Sequence, residues 1–279
     1  MPELPEVETV RRGLAPLITG HVIAQVTLRR GGLRHAFPAH FAETLEGARV
    51  TGLRRRGKCL LIDLDKNRVW MVHLGMSGSF RSVPDGQNFQ PETHDHVVIT
   101  FENGLRLAFN DPRRFGQMDM FPADAESTHR ALATMGPEPL ERGFTGAVLR
   151  AQLAGRRVAI KVALMDQHVV AGIGNIYACE ALFRAGISPR RMAGRITARE
   201  ADTLARSIRV VMRAALRSGG SSLRNHRQVD GSTGYFQHSF AVYGHANAPC
   251  AGCVCAGKNH VRAFTQSGRT TFYCPVKQR

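Results

Sequence analysis

Nothing in these 279 residues reads as a membrane span, because no uninterrupted apolar run approaches about 18 residues. No charged-then-apolar segment opens the chain, so a secretory leader is not expected either. Acidic residues are scarce: 22 Asp and Glu stand against 38 Lys and Arg, and 38 − 22 = 16 leaves a net charge of +16. Such a surface attracts polyanions. Nucleic acid is the first candidate, an anionic membrane surface the second, and a merely solubilising surface the third. Internal repeats and low-complexity tracts are also missing.

Cysteine is sparse, with six in all. Cys59 and Cys179 stand alone, as small core residues do, whereas Cys250, Cys253, Cys255 and Cys274 cluster near the carboxyl end. In a reducing compartment, which the missing leader favours, clustering points to a metal rather than to disulfides. A chain of this length can bury a large core and divide into two or three domains.

The first dozen residues have the pattern of a helix start. Pro5 suits a first turn, Glu3, Glu6 and Glu8 sit near the positive end of the helix dipole, and Val7, Val10 and Leu14 form an apolar stripe. They also pair an amine with a carboxylate. Removal of Met1 before so small a residue would leave Pro2 with a secondary amine, which the helix end keeps neutral, and Glu3 beside it to move protons. That is a covalent-catalysis pair.

His21 to Arg30 alternates, which predicts a strand with Val22, Ala24, Val26 and Leu28 facing inward. Lys58–Leu64, Val69–Leu74, Val97–Phe101 and Leu105–Phe109 read as further strands, the last two joined by a turn at Asn103-Gly104. An antiparallel sandwich or flattened barrel is expected. From about Glu126 the period becomes helical, most clearly over Thr197–Arg217, which opens with the capping box Thr197-Ala198-Arg199-Glu200 and stops at Gly219-Gly220.

Several segments carry a bland and a functional reading side by side. Arg54-Arg55-Arg56-Gly57-Lys58 is a solvated basic edge or a phosphate contact. Met76, in His73-Leu74-Gly75-Met76-Ser77-Gly78, is a core residue or an apolar wedge for a base stack. Asn110-Asp111-Pro112-Arg113-Arg114-Phe115-Gly116 is an ordinary turn or a loop presenting Arg113 and Phe115. His94-Asp95-His96 reads as metal ligands or a surface turn. Gly172-Ile173-Gly174-Asn175 is a tight interhelix turn or a backbone anion grip, and Ser218–Tyr235, rich in Gly and Ser, reads as a mobile loop.

Pro2-Glu3-Leu4-Pro5-Glu6-Val7-Glu8-Thr9, with Met76 and the Asn110–Gly116 segment at their spacing, closely resembles the bacterial formamidopyrimidine-DNA glycosylases, and the resemblance runs nearly end to end. It implies an α+β fold: an N-terminal helix with an antiparallel β-sandwich over 1–124, a helical helix-two-turn-helix domain over 125–240, and a zinc-finger-like β hairpin over 241–279. It also implies excision of oxidised purines (8-oxoguanine and formamidopyrimidines) from duplex DNA, and strand cleavage by β,δ-elimination in base excision repair. Pro2, Glu3, Lys58 and Arg269 would be catalytic. Met76, Arg113 and Phe115 would fill the void left by the extruded base, with Arg113 reading the opposite cytosine, while His94, Arg157, Lys161 and Asn175 would contact DNA.

One Zn2+ per chain is implied as well. Lys277 stands where the family's fourth cysteine is expected, so either Cys255 completes Cys250, Cys253 and Cys274 or the site is weak, three-thiolate or empty. The expected setting is the bacterial cytoplasm, in association with the nucleoid, with damaged double-stranded DNA as partner, no membrane and a monomeric state. Two other readings stay open. One is an endonuclease VIII-like enzyme for oxidised pyrimidines, and the other a non-catalytic lesion-binding protein.

Overall fold

The computed structural model describes residues 1–221, 229, 232, 234–250, 253 and 260–279. The chain divides into two compact units, the first made of Met1–Ala133 with Ser218–Tyr235, the second of Thr134–Arg217 with Phe236–Arg279. No helix among the described residues is long and apolar enough to cross a membrane.

The first unit opens with α1 (Leu4–Ile18), whose Val7, Val10, Leu14 and Ile18 recur at helical spacing and are wholly buried. Two four-stranded antiparallel sheets follow. One runs in the order β1 (Ile23–Leu28), β6 (Asp95–Phe101), β7 (Arg106–Asn110), β5 (Ser79–Val83). The other runs β2 (Val50–Arg56), β3 (Cys59–Leu64), β4 (Arg68–His73), β8 (Gln117–Pro122), and a short α2 spans Phe41–Leu45. A chain of aromatic edges joins the sheets through the core: Trp70 of β4 meets Phe80 of β5 at 6.5 Å between ring centres, and Phe80 meets Phe109 of β7 at 5.1 Å. This is the antiparallel sandwich with an N-terminal helix that the pattern predicts.

The inward face of β1 differs from the alternation. Ile23 and Val26 are buried while Ala24 is exposed and Leu28 only partly covered, because the register against β6 shifts between Ile23 and Gln25. A bulge adds one residue and so moves the next side chain to the other face. The arginine run ends one strand, β2, and leads through Gly57 and Lys58 into the next, β3. In β2, Arg54 reaches Asp63 at 2.6 Å and Glu126 at 2.7 Å, and Arg55 reaches Glu8 of α1 at 3.4 Å.

The second unit is helical: α3 (Gly146–Leu153), α4 (Ile160–Met165), α5 (Asn175–Ala185) and α6 (Ala198–Arg217), followed by an antiparallel hairpin of β9 (Arg262–Gln266) and β10 (Arg269–Tyr273). The capping box forms at the start of α6. Thr197 N–H donates to Glu200 Oε2 at 2.9 Å, and Glu200 N–H donates to Thr197 Oγ1 at 3.3 Å. Leu204, Ile208, Val211 and Ala215 are buried along one face.

Candidate functional site

Pro2 and Glu3 are buried at the positive end of α1, with Glu3 in extended conformation at the cap. Glu3 N–H donates to Glu6 Oε2 at 2.9 Å. The other Glu6 oxygen accepts both the backbone N–H and the hydroxyl of Ser221, at 2.8 and 2.9 Å. The carboxylate of Glu6, 2% exposed, therefore fixes the start of the helix to the start of the Gly/Ser-rich segment. A Cβ on Gly220 would come within 3.2 Å of the same carboxylate, and Gly220 has φ +80°, so this close approach suits glycine.

The roots of that segment are paired, since Ser221 bridges Tyr235 and Tyr235 N–H donates to Ser218 O at 3.0 Å. Val229 joins the sandwich core. Of the expected mobile loop, residues 222–228, 230, 231 and 233 lie outside the described residues.

Lys58 follows Gly57 (φ +57°) in the turn between β2 and β3, and it is buried. The Glu8–Arg55 ion pair ties α1 to β2 near that turn. His73 ends β4, opposite Cys59 and within reach of the Lys58 charge. Its Nδ1 accepts the Gly75 N–H at 3.0 Å, which leaves the ring proton on Nε2. Burial, reinforced by the positive charges of Lys58 and Arg34, pushes its pKa down to about 4, so the ring is neutral at pH 7.

Met76 and Phe115 are exposed large apolar side chains, at 36% and 42%. The Arg113 guanidinium lies 5.0 Å from the centre of the Phe115 ring. The three histidine-segment residues go separate ways. His94 is exposed and its carbonyl accepts the Asp111 N–H at 3.0 Å. Asp95 is fully buried and accepts from Arg81 at 2.7 Å and Asn110 at 2.9 Å, while His96 is buried against the Asp111 carbonyl at 3.0 Å.

In the second unit, residues 166–174 make the turns between α4 and α5, and Gln167 organises them. Its side chain accepts from Gly172 N–H at 2.7 Å and donates to Ile173 O at 2.9 Å. Asn175, first residue of α5, donates through Nδ2 to Thr270 O of the hairpin at 2.9 Å. Lys161 is 1% exposed and its ammonium donates to Thr271 Oγ1 at 2.7 Å, so α4 and α5 each hold β10 by one side chain. Arg157 is exposed. Arg269 is also exposed, at the hairpin tip, where Ser267 and Gly268 both take positive φ in the tight turn.

The sulfurs of Cys250, Cys253 and Cys274 converge within 4.8 Å, the only such group of potential metal ligands among the described residues. Cys274 Sγ lies 3.4 Å from Cys250 Sγ and 3.5 Å from Cys253 Sγ. Sulfurs on a tetrahedral metal at about 2.3 Å would stand slightly farther apart, so three thiolates fit a metal with little movement. Lys277 is not a fourth ligand. Its ammonium lies 4.1 Å from the centre of the Phe183 ring, and only its backbone N–H approaches Cys274 Sγ, at 3.5 Å. Cys255 lies outside the described residues.

A two-sheet domain with a buried proline and glutamate at its first helix, two helices joined by tight turns, and a hairpin backed by converging cysteines, on a chain of net charge +16, fit a nucleic-acid-binding class of protein. Family comparison is consistent with this. Residues 1–118 match the formamidopyrimidine-DNA glycosylase N-terminal domain and residues 135–227 the formamidopyrimidine-DNA glycosylase H2TH domain. Proteins named formamidopyrimidine-DNA glycosylase from Cereibacter sphaeroides and Ruegeria pomeroyi are each 51% identical over 285 residues, covering all of both chains. Among solved structures, the MutM (Fpg) protein of Thermus thermophilus is 39% identical with a TM-score of 0.88, over 99% of this chain and 98% of that one. A Lactococcus lactis Fpg point mutant in complex with DNA containing Fapy-dG is 31% identical, with a TM-score of 0.89 over the whole of both chains. The chain belongs to the formamidopyrimidine-DNA glycosylase family.

Sequence reasoning missed Glu6, Ser77, Asp111 and Ser221 as site builders. Their signal is a long-range hydrogen bond, which no local pattern carries.

Proposed function

We propose that this protein is a bifunctional DNA glycosylase and abasic-site lyase that removes oxidised purines, 8-oxoguanine and formamidopyrimidines, from duplex DNA in base excision repair. The observation that carries the reading is the burial of Pro2 and Glu3 at the positive end of α1, in a chain similar over its full length to named glycosylases. With Met1 removed, the Pro2 nitrogen attacks C1′ of the damaged nucleotide, the C1′–N bond breaks, and the base departs with the electron pair and gains a proton. Glu3 moves protons and opens the sugar ring, giving an iminium between Pro2 and C1′. Loss of a proton from C2′ expels the 3′ phosphate, a second elimination expels the 5′ phosphate, and water then releases the sugar fragment from Pro2.

Lys58 assists beside this centre. Arg269 contacts phosphate in the second elimination. Met76, Arg113 and Phe115 fill the vacated stack, Arg113 meeting the opposite cytosine, and His94, Arg157 and Asn175 belong to the phosphate-binding surface. The burial of Lys161 favours a supporting role for it, through Thr271 and the hairpin. One zinc ion holds the finger through Cys250, Cys253, Cys274 and Cys255. Bound there, zinc supplies structure rather than chemistry.

Borohydride trapping on a duplex with one 8-oxoguanine opposite cytosine tests the mechanism, run beside Pro2→Gly and a form with one extra residue before Pro2. A covalent adduct from the native protein, lost on blocking the terminus, is the expected result. No adduct from protein whose terminus is verified as Pro2 would overturn it. Faster excision of thymine glycol than of 8-oxoguanine would favour the oxidised-pyrimidine reading instead.

A further inference from the structure

Ser77 and Asp111 have no part in the chemistry above, yet they join the two loops that carry Met76 on one side and Arg113 and Phe115 on the other. Ser77 Oγ donates to Asp111 Oδ1 at 2.5 Å and accepts the Arg113 backbone N–H at 3.1 Å. Asp111 Oδ2 accepts the Gly116 N–H at 2.7 Å, and the Asp111 carbonyl accepts the Arg114 N–H at 3.1 Å. Asp111 is fully buried, so both carboxylate oxygens are satisfied by protein rather than by water.

The loops also touch through backbone. Gly75 has φ +63°, and a Cβ there would overlap the Phe115 carbonyl and the Gly116 nitrogen. A side chain at Gly116 would press on Asp111 Oδ2 at 2.9 Å. Two glycines and one serine–carboxylate bond thus fix the spacing of the loops, while Met76, Arg113 and Phe115 remain exposed.

We propose that the Ser77–Asp111 pair is a positioning clamp that sets Met76 against Arg113 and Phe115, and thereby sets discrimination of the base opposite the lesion without touching DNA. The proposal rests on the reading of those three residues as the void-filling group. Reading a base edge by hydrogen bonds needs placement to within about 0.5 Å, and the Arg113 backbone is held by the Ser77 hydroxyl. Loss of that hydroxyl, or of its carboxylate partner, lets the arginine loop drift relative to Met76.

The test is single-turnover excision of 8-oxoguanine opposite cytosine and opposite adenine, by the native protein, Arg113→Ala, Ser77→Ala, Asp111→Ala and Asp111→Asn. The native cytosine-over-adenine ratio should fall about five- to tenfold in Ser77→Ala and Asp111→Ala, the loss expected for one or two hydrogen bonds. Asp111→Asn should keep most of it, since its amide oxygen can accept from Gly116 while its NH2 donates to Ser77 Oγ. Ser77→Ala removes one hydroxyl from a half-buried residue, so the result stands even where Asp111→Ala fails to fold. An unchanged ratio in Ser77→Ala, with Arg113→Ala lowering it, overturns the clamp alone. Failure of Asp111→Asn to rescue overturns its hydrogen-bonded form. A native ratio near one overturns the reading of Arg113, and the clamp with it.

Discussion

Glu6 and Ser221, 215 positions apart in sequence, are joined by two hydrogen bonds to a single carboxylate oxygen. The second oxygen accepts the Glu3 N–H, so one buried side chain sets both the start of α1 and the root of the Gly/Ser-rich segment. Replacing Glu6 by Ala leaves the Ser221 and Glu3 donors without their acceptor. We expect a loss of about 1–3 kcal/mol in stability for that variant, with Glu6→Gln milder, as read by denaturant unfolding. A melt unchanged in Glu6→Ala would show that water satisfies those donors.

Glu3→Gln keeps the shape of the cap but removes the carboxylate to which the proposed mechanism gives proton transfer. Excision in single turnover should slow by about 10²- to 10⁴-fold, while binding to a duplex with a tetrahydrofuran abasic analogue persists. Equal losses in rate and binding would place Glu3 in structure rather than in chemistry.

His73 makes stability depend on acidity. Its folded pKa, about 4, lies below the ordinary 6.5, so between those values the unfolded chain binds the extra proton. Its contribution is complete above about pH 6.5 and is lost as pH falls toward 4. His73→Asn can still accept the Gly75 N–H, and its unfolding free energy should fall less steeply with acid over that window. Parallel curves for variant and native protein would contradict this.

The finger makes a metal prediction. Cys255→Ala should drop zinc well below about one equivalent by elemental analysis, and adding Lys277→Cys should restore it, because a thiolate at 277 would stand beside Cys274. In metal-free protein, Lys277→Ala should cost about 0.5–2 kcal/mol through loss of the contact with Phe183. Full zinc in Cys255→Ala would mean that three cysteines suffice.

Much of the sandwich is legible in the sequence because β3, β4, β6 and β7 are short apolar runs bounded by turn residues, as Asn103-Gly104 shows: Gly104 takes φ +79° and Leu105 N–H bonds to Asn103 Oδ1 at 3.2 Å. The strand β2 is hidden because its arginines mask the pattern, and their acidic partners, Asp63, Glu126 and Glu8, lie up to 72 positions away. The inward side of β1 is not legible because a bulge carries no local signature. Pro2, Met76, Arg113 and Phe115 can be picked out by motif. The bonds that hold them cannot, since Ser77 and Asp111 are ordinary residues until the fold brings them together. Lys161 shows the reverse: a charge that composition places at the surface is buried beneath a hairpin threonine.

The first compact unit is discontinuous in sequence: its sandwich ends at Ala133, and its last part begins at Ser218. On a ribosome, α1 and both sheets emerge well before Ser221 and Val229, the residues that satisfy Glu6 and complete the core. The nascent domain therefore goes through the synthesis of residues 134–217 without the two Ser221 donors to Glu6 Oε1 and with an apolar gap beside Gly13, where Val229 will pack. Vectorial synthesis thus orders assembly, and the start of α1, where Pro2 lies, is the last part of its own domain to be locked in place.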